Sequence, residues 1–308
     1  MIFTVTLNPA VDKTITISKL NVGGVNRVEE VRQNAGGKGI NVSKTISMLG
    51  GSTIAMGILG GETGSFIESA LNQMGIKHDF CKVNAPTRTN IKIVDRAAQI
   101  STDINERGAS MDADTFRTVF ENLKRQAKAG DTVVFAGSVP PGTRADLLKD
   151  WTLELKKLGI QVFMDTSGEP LRQGIEAAPA LIKPNKDELE ELVGCELRTE
   201  SDLISAAKNL IARGIAWVVV SLGSDGALFV SEDRTLRGYG LKVPVFSAVG
   251  AGDSMVAAIA YGMERDLPLH EIAALAIAVS AAHVADCPDA ERTTLMEQLR
   301  EQVCIKER

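Results

Sequence analysis

The sequence predicts an α/β fold: a central, mostly parallel sheet with helices on both faces, carrying a small second β-sheet as a lid. Short β-branched runs alternate with longer amphipathic stretches along the chain, which is the rhythm of parallel strands joined by helical crossovers. Two regions interrupt that rhythm with alternating polar and apolar residues that lack helical spacing. At 308 residues and 44% hydrophobic content, the chain can also bury a large core.

The elements follow in order. Residues 3–7 form the first strand, and with no basic region leading into a long apolar core they read as a strand and not as a signal peptide. Residues 12–32 contain the alternating Thr14-Ile15-Thr16-Ile17, and residues 80–105 contain Asn90-Ile91-Lys92-Ile93-Val94. Both insertions are too short for a domain, so they are expected to form a β flap over the edge of the main sheet, within a single domain spanning 1–308. A helix at 42–49 precedes a strand at 53–58 and a helix at 66–74. Helices at 114–128, 145–158 and 203–213 then alternate with strands at 132–136, 161–164, 180–183, 216–221 and 227–230. Apolar residues 255–261 continue a glycine turn as a helix. The run 272–285 is shorter than the roughly 20 residues needed to span a bilayer, and its alanine-rich pattern suits a buried helix.

Composition removes several function classes. The net charge is −5, from 34 basic and 39 acidic residues without a basic stripe, which argues against nucleic acid as a partner; no segment argues for a membrane. Cys81, Cys195, Cys287 and Cys304 form no C-x-x-C pair, and His78, His270 and His283 form no H-x-x-x-H. A zinc site or disulfide framework is not expected, and four separate thiols suit a reducing cytoplasm.

Chemistry is expected where loops leave the strands. Val249-Gly250-Ala251-Gly252-Asp253-Ser254 runs directly into a helix. Gly250 and Gly252 let the backbone approach a ligand, the first-turn N–H groups have no intrahelical partner, and the helix dipole favours a phosphate there. Asp253 would sit beside that phosphate, able to accept the proton of an attacking hydroxyl; equally, it could be an N-cap beside a tight turn. Ala35-Gly36-Gly37-Lys38-Gly39-Ile40-Asn41 offers a second glycine-built helix entrance, or a turn with a solvated lysine. It is not a Walker A loop, because Gly and not Ser or Thr follows Lys38, and no G-x-G-x-x-G follows the first strand.

Lys183-Pro184-Asn185-Lys186-Asp187-Glu188 starts at a strand end. Asn185 and Glu188 share a face at a helix start and could order hydrated Mg²⁺, although spacing alone favours a capping box. Ser221-Leu222-Gly223-Ser224-Asp225-Gly226 reads as a hairpin turn whose N–H groups could also pass under a nucleotide phosphate.

In order and content these blocks resemble the ribokinase-like (PfkB) sugar kinases: Gly-Gly-Lys-Gly-Ile-Asn at 36–41, Lys-Pro-Asn-x-x-Glu at 183–188, Ser-Leu-Gly-x-x-Gly at 221–226 and Gly-Ala-Gly-Asp-Ser at 250–254. The likeness covers essentially the whole chain. The opening Thr6-Leu7-Asn8-Pro9-Ala10-Val11-Asp12 and the stretch Thr87-Arg88-Thr89-Asn90-Ile91-Lys92 are more particularly similar to the branch containing 1-phosphofructokinase and tagatose-6-phosphate kinase. Ala248 departs from the family's Thr, Ser or Pro but leaves the loop intact.

The resemblance implies an ATP- and Mg²⁺-dependent phosphosugar kinase on a ribokinase-like fold, with Asp253 as base and Gly250, Ala251 and Gly252 as the anion hole. It places Asp12, Gly37, Lys38, Asn41 and Ser138 at the acceptor sugar. Arg27 and Arg88, with Lys38, are assigned to the phosphate already on the sugar. Lys183, Asn185, Ser221, Gly223 and Gly226 match nucleotide contacts, and Glu188, with Asn185, matches the residue ordering Mg²⁺ through water. The implied acceptor is fructose 1-phosphate, with tagatose 6-phosphate or fructose 6-phosphate as alternatives. Lid strands of this family can pair with a second subunit, so a homodimer is expected, with Arg27 acting across its interface. Other classes, a silent sugar-phosphate sensor or a dinucleotide oxidoreductase, would lack an intact Asp253 with Asn185 and Glu188, or would need the missing fingerprint.

Overall fold

The computed structural model describes residues 1–245 and 249–308, so Ala248 lies outside the described residues. From the N-terminus the chain runs β1 (Ile2–Thr6), β2 (Ala10–Ile17), β3 (Glu30–Gly36), α1 (Lys38–Met48), β4 (Thr53–Gly60), α2 (Gly61–Gln73), β5 (Lys77–Val83), β6 (Arg88–Asp95) and β7 (Ile100–Asn105). The middle third is α3 (Ala113–Gln126), β8 (Thr132–Ala136), α4 (Leu147–Lys157), β9 (Gln161–Asp165), α5 (Gly168–Gly174), β10 (Leu181–Ile182), α6 (Lys186–Val193) and α7 (Glu200–Ile211). It closes with β11 (Trp217–Ser221), β12 (Gly226–Val230), β13 (Thr235–Tyr239), α8 (Ala251–Glu264), α9 (Leu269–Val284), α10 (Arg292–Arg300) and β14 (Ile305–Glu307).

Ten strands form one sheet in the order β14-β13-β12-β11-β10-β9-β8-β1-β4-β5. Pairing is parallel from β5 through β11 and antiparallel from β11 to β14. After β1 the chain first builds toward β4 and β5, then returns to place β8 on the other side of β1. That reversal leaves a crevice beyond the carboxyl ends of β1 and β8, where ligands of open α/β sheets bind.

Strand alternation sorts the core into two layers. Phe3, Val5, Val133, Phe135, Val162 and Met164 face α3, α4 and α7, where Phe120 stacks on Trp151 with ring centroids 4.8 Å apart. Ile2, Val134, Phe163, Leu181 and Val219 face the other way, against α1, α8 and α9. Period two then carries Thr6, Asp165, Lys183 and Ser221, at or just past the strand ends, onto this second face, toward α1 and α8. Helix α9, apolar on every side, lies buried between neighbours, and among the described residues no helix is long and apolar enough to cross a membrane.

The small sheet has the order β3-β2-β6-β7. Its boundaries differ from those expected. The first insertion already begins at Ala10 and returns at Gly36, while residues 80–83 belong to β5, the edge strand of the main sheet, where Gly57 pairs with Phe80. Lys77-His78-Asp79-Phe80-Cys81-Lys82 carries the mixed polar pattern of a flap because an edge strand is half solvated. The expected strand at 180–183 narrows to Leu181–Ile182.

One glycine is indispensable to this geometry. Gly57 of β4 sits at φ 142° opposite Thr6, and a Cβ there would lie 1.9 Å from the Thr6 carbonyl oxygen. Only a bare backbone lets β4 close against the end of β1, where the site begins.

Candidate active site

Two helices enter the crevice with uncapped N-termini. Helix α8 follows Gly250 in the left-handed region at φ 87°, and α1 follows Gly37 at φ 115°; neither glycine offers a side chain to bond the first-turn N–H groups. Helices α6 and α7 close their own ends with capping boxes. At α8 the orphan donors and the positive dipole end are therefore available to an anion. The turn is also tightly packed: a Cβ on Gly250 would lie 2.4 Å from His283 Nε2, and one on Gly252 would lie 3.0 Å from Lys183 Nζ.

Asp253, in the first turn of α8, is 5% exposed. Its Oδ2 accepts a hydrogen bond from Asn41 Nδ2 of α1 at 2.8 Å, and its Oδ1 has no donor among the described residues. Burial, and then the charge of Asp165, push its pKa up to about 6, against the Asn41 hydrogen bond and the charges of Lys38 and Lys183. A buried carboxylate with a raised pKa, one oxygen fixed and the other open, is equipped to accept a proton near neutral pH.

Lys38, the first residue of α1, and Lys183, just past β10, both approach the Asp165 carboxylate, with Nζ to Oδ1 distances of 3.6 Å and 3.4 Å. Burial works against the charge of Lys38, yet Asp165, Asp253 and Glu188 together hold its pKa above the ordinary lysine value. Lys183 is 6% exposed and Asp165 is 2% exposed. Lys38 therefore stands at the strand ends, where the charges of Asp165 and Asp253 both act on it. Of the cations expected at the sugar's own phosphate, Lys38 pairs with Asp165, and Arg88 donates to backbone carbonyls on the lid side.

At the start of α6, Asn185 Oδ1 accepts from the Glu188 N–H at 2.8 Å and Glu188 Oε2 accepts from the Asn185 N–H at 2.9 Å, a complete capping box. The alternative favoured by spacing is therefore present. Glu188 Oε1 remains without a partner among the described residues, and the charge of Glu188 acts on Lys38. Ser221 bridges to Asn185, its N–H donating to the Pro184 carbonyl at 3.0 Å. Gly223 and Gly226 take φ values of 58° and 99° in the turn that follows. A cleft of about 490 Å³ opens here, lined by Asn185, Lys186, Ser221, Leu222, Gly223 and Arg237 among others.

The lid supplies the opposite wall. Asp12 of β2 accepts at Oδ1 from Asn90 Nδ2 of β6 at 2.9 Å, and burial raises its pKa against that hydrogen bond. Arg88, at the start of β6, donates to the Asn8 carbonyl at 3.0 and 3.2 Å and to the Glu106 carbonyl at 2.8 Å. Asn8 Nδ2 in turn donates to Ser138 Oγ at 3.2 Å, so Arg88, Asn8 and Ser138 meet just beyond β1 and β8. Arg27 is exposed in the β2–β3 loop, beyond the Thr16–Glu30 pair and at the other end of the hairpin from Asp12. Within one chain it does not reach the crevice.

Three participants have no role assigned from the sequence, although Asn8 lies in the opening block at 6–12. Asp165 has both carboxylate oxygens buried without a hydrogen-bond donor, and the neighbouring Thr166 Oγ1 is likewise buried and unpartnered. Asn8 links the lid to Ser138. Asp165 lies one residue past the expected strand at 161–164; the available signal was a carboxylate at the C-terminal end of a parallel strand, on the face that alternation turns toward α1 and α8.

Residues 5–287 match the family described as pfkB family carbohydrate kinase. A 1-phosphofructokinase of Xanthomonas campestris pv. campestris is 39% identical over 296 residues, which cover 94% of this chain and 93% of that protein. A tagatose-6-phosphate kinase of Staphylococcus epidermidis is 35% identical over 266 residues, 85% of each chain. Among solved structures, phosphofructokinase-2 of Escherichia coli in complex with substrates and products superposes with a TM-score of 0.91 at 31% identity, covering 97% of this chain and 99% of that one. With its ribokinase-like sheet, its lid and its glycine-capped α8 carrying Asp253, the chain belongs to the pfkB family of carbohydrate kinases.

Proposed function

We propose that this chain is a 1-phosphofructokinase, transferring the γ-phosphoryl group of ATP to fructose 1-phosphate to give fructose 1,6-bisphosphate and ADP. The observation that carries the reading is Asp253: a buried carboxylate at the uncapped N-terminus of α8, with one oxygen fixed by Asn41 and two lysines alongside. The Xanthomonas relative and the Staphylococcus relative support a phosphosugar acceptor.

Phosphoryl transfer through a loose transition state asks the protein for position and charge neutralisation. The γ-phosphoryl group would rest on the N–H groups of Ala251, Gly252 and Asp253, with Lys183 beside Gly252 and Lys38 facing it from α1. The acceptor hydroxyl then lies against Asp253 Oδ1, its oxygen attacks the γ-phosphorus, its proton passes to Asp253, and the bridging oxygen leaves with ADP. Asp12 and Asn90 of the lid, with Ser138, would orient the sugar, and closure of the lid would exclude water as a competing acceptor. Glu188, through its unused oxygen, and Asn185 fit a hydrated Mg²⁺, a hard cation that supplies charge neutralisation on the nucleotide phosphates when bound.

Cross-strand register divides the lid into two faces. Asp12, Asn34, Arg88 and Asn90 share one; Ile15, Val31, Ile91, Ile93, Ile100 and Ile104 share the other. Val31, Ile100 and Ile104 are exposed, which is an unusual cost for a lone sheet. A second copy of the chain on that face would cover them and could bring Arg27 to the partner's acceptor pocket. The four free thiols suit a cytoplasmic setting for this dimer. Sedimentation equilibrium at micromolar concentration is expected to find a dimer, weakened by Ile104→Lys; a wild type that stays monomeric contradicts the lid interface.

The metal assignment is separable from the cap. Glu188→Gln keeps a capping box, so stability is expected within about 1 kcal/mol of wild type, while the Mg²⁺ needed for half-maximal rate rises and kcat falls at fixed ATP. Unchanged metal dependence would leave Glu188 a cap alone.

The acceptor is tested with a panel of fructose 1-phosphate, tagatose 6-phosphate, fructose 6-phosphate and fructose, following ATP consumption. Fructose 1-phosphate is expected to give the highest kcat/KM. Because a lost charge-assisted partner costs roughly 2–5 kcal/mol, Arg88→Ala should lower kcat/KM for fructose 1-phosphate about 30-fold or more while sparing residual activity on fructose. Equal loss on both, or free fructose as the best wild-type substrate, rules out the phosphosugar assignment; a preference for tagatose 6-phosphate moves it to the Staphylococcus relative's reaction.

A further inference from the structure

Asp165 is the most deeply buried charge at the site and the least satisfied. It is 2% exposed at the end of β9, and neither carboxylate oxygen receives a hydrogen bond. Its only partners among the described residues are the two ammonium groups, Lys38 at 3.6 Å and Lys183 at 3.4 Å, both longer than a normal N–H···O contact. Both contacts are ion pairs at the outer limit of hydrogen-bond length, so each ammonium keeps donors that Asp165 does not use fully. A carboxylate buried in this way is expensive, and its cost is offset only by charge. As a purely structural ion pair the arrangement is poor, since hydrogen-bonding capacity is left unused on both sides. As a holder for two cations that must later grip something else, it is well suited.

We propose that Asp165 is a positioning residue for phosphoryl transfer: its carboxylate holds Lys38 and Lys183 together at the strand ends, with N–H donors left for the transferring phosphoryl group. This rests on the proposed kinase reaction. The other anions acting on this cluster are Asp253 and Glu188. Without Asp165 the lysines would turn to these, and a lysine paired with Asp253 would lower the basicity of the group that takes the acceptor's proton. Asp165 thus keeps the two cations close to the base without letting them neutralise it. The placement of the three residues fits this role, since Lys38 begins α1, Lys183 follows β10 and Asp165 ends β9, so the carboxylate joins three segments at one face of the sheet.

Asp165→Asn, nearly isosteric, is compared with wild type in the ATP and fructose 1-phosphate assay, with thermal unfolding recorded in parallel. The expected result is a kcat at least ~10-fold lower with both KM values changed less than about threefold, and an acid limb of the kcat profile displaced downward by about half a pH unit or more. Asp165→Glu, which restores the charge, should return the limb toward the wild-type position. A kcat within about twofold of wild type, or activity lost only in proportion to the unfolded fraction with the limb unmoved, overturns the proposal. If Asp165→Asn does not fold, Lys38→Met with and without Asp165→Asn reads the same coupling in a charge-balanced site. A displaced limb in the double variant supports the role, and coincident limbs overturn it. Wild-type turnover is measured separately, so an active wild type with an indifferent Asp165→Asn refutes this inference and leaves the kinase reading standing.

Discussion

A carboxylate that is almost sealed from water, yet as the proposed base must carry charge, sets the terms for everything around it. Asp253 is 5% exposed, and burial there disfavours the ionised form. Leaving it neutral would make it useless as a base, and over-neutralising it with cations would make it a weak one. The surroundings settle between these limits: Asn41 fixes one oxygen, Lys38 and Lys183 supply positive charge, and Asp165 draws both lysines toward itself. The resulting pKa of about 6 lies close to neutral pH, where a general base is most effective.

The fold provides this balance through features that are ordinary one at a time. Reversal of strand order at β1 opens a crevice, alternation turns the strand-end polar residues to a single face, and two glycine-capped helices aim unbonded N–H groups at it. Gly57 lets β4 pack against Thr6, and Gly252 leaves room for Lys183. Across the crevice the lid presents Asp12, Asn90 and Arg88 on one face and Ile15, Ile91, Ile93, Ile100 and Ile104 on the other, the division on which the proposed sugar and subunit contacts rest.

Much of this is legible in the sequence because it is local. The blocks at 36–41, 183–188, 221–226 and 250–254 each read as a turn with a known physical use, and their order identifies the family. Elements with strong periodicity, such as α3 with Phe116, Val119, Phe120 and Leu123, appear where expected. What escapes is tertiary. β5 carries a flap-like pattern because edge strands are half exposed, and only pairing with β4 assigns it to the main sheet. Asp165 bears no motif, and its importance comes from two lysines that are 127 and 18 residues distant in sequence (165 − 38 and 183 − 165) but adjacent in space. The same contact ties Lys38 to the strand ends, and the length of the β2–β3 hairpin carries Arg27 away from its own crevice.

The central claim is that Asp253 is the base and that its environment sets its proton affinity. The direct test is kcat against pH at saturating ATP and fructose 1-phosphate, for wild type and Asp253→Asn. An aspartate accepts a proton only when ionised, so wild-type kcat should be full above its pKa and fall about tenfold per pH unit below about 6. Asp253→Asn should lower kcat roughly 10²–10⁴-fold, leave ATP binding nearly unchanged, and lose that acid limb. A variant that turns over within a few-fold of wild type, or one whose acid limb coincides with that of the wild type, would contradict the account.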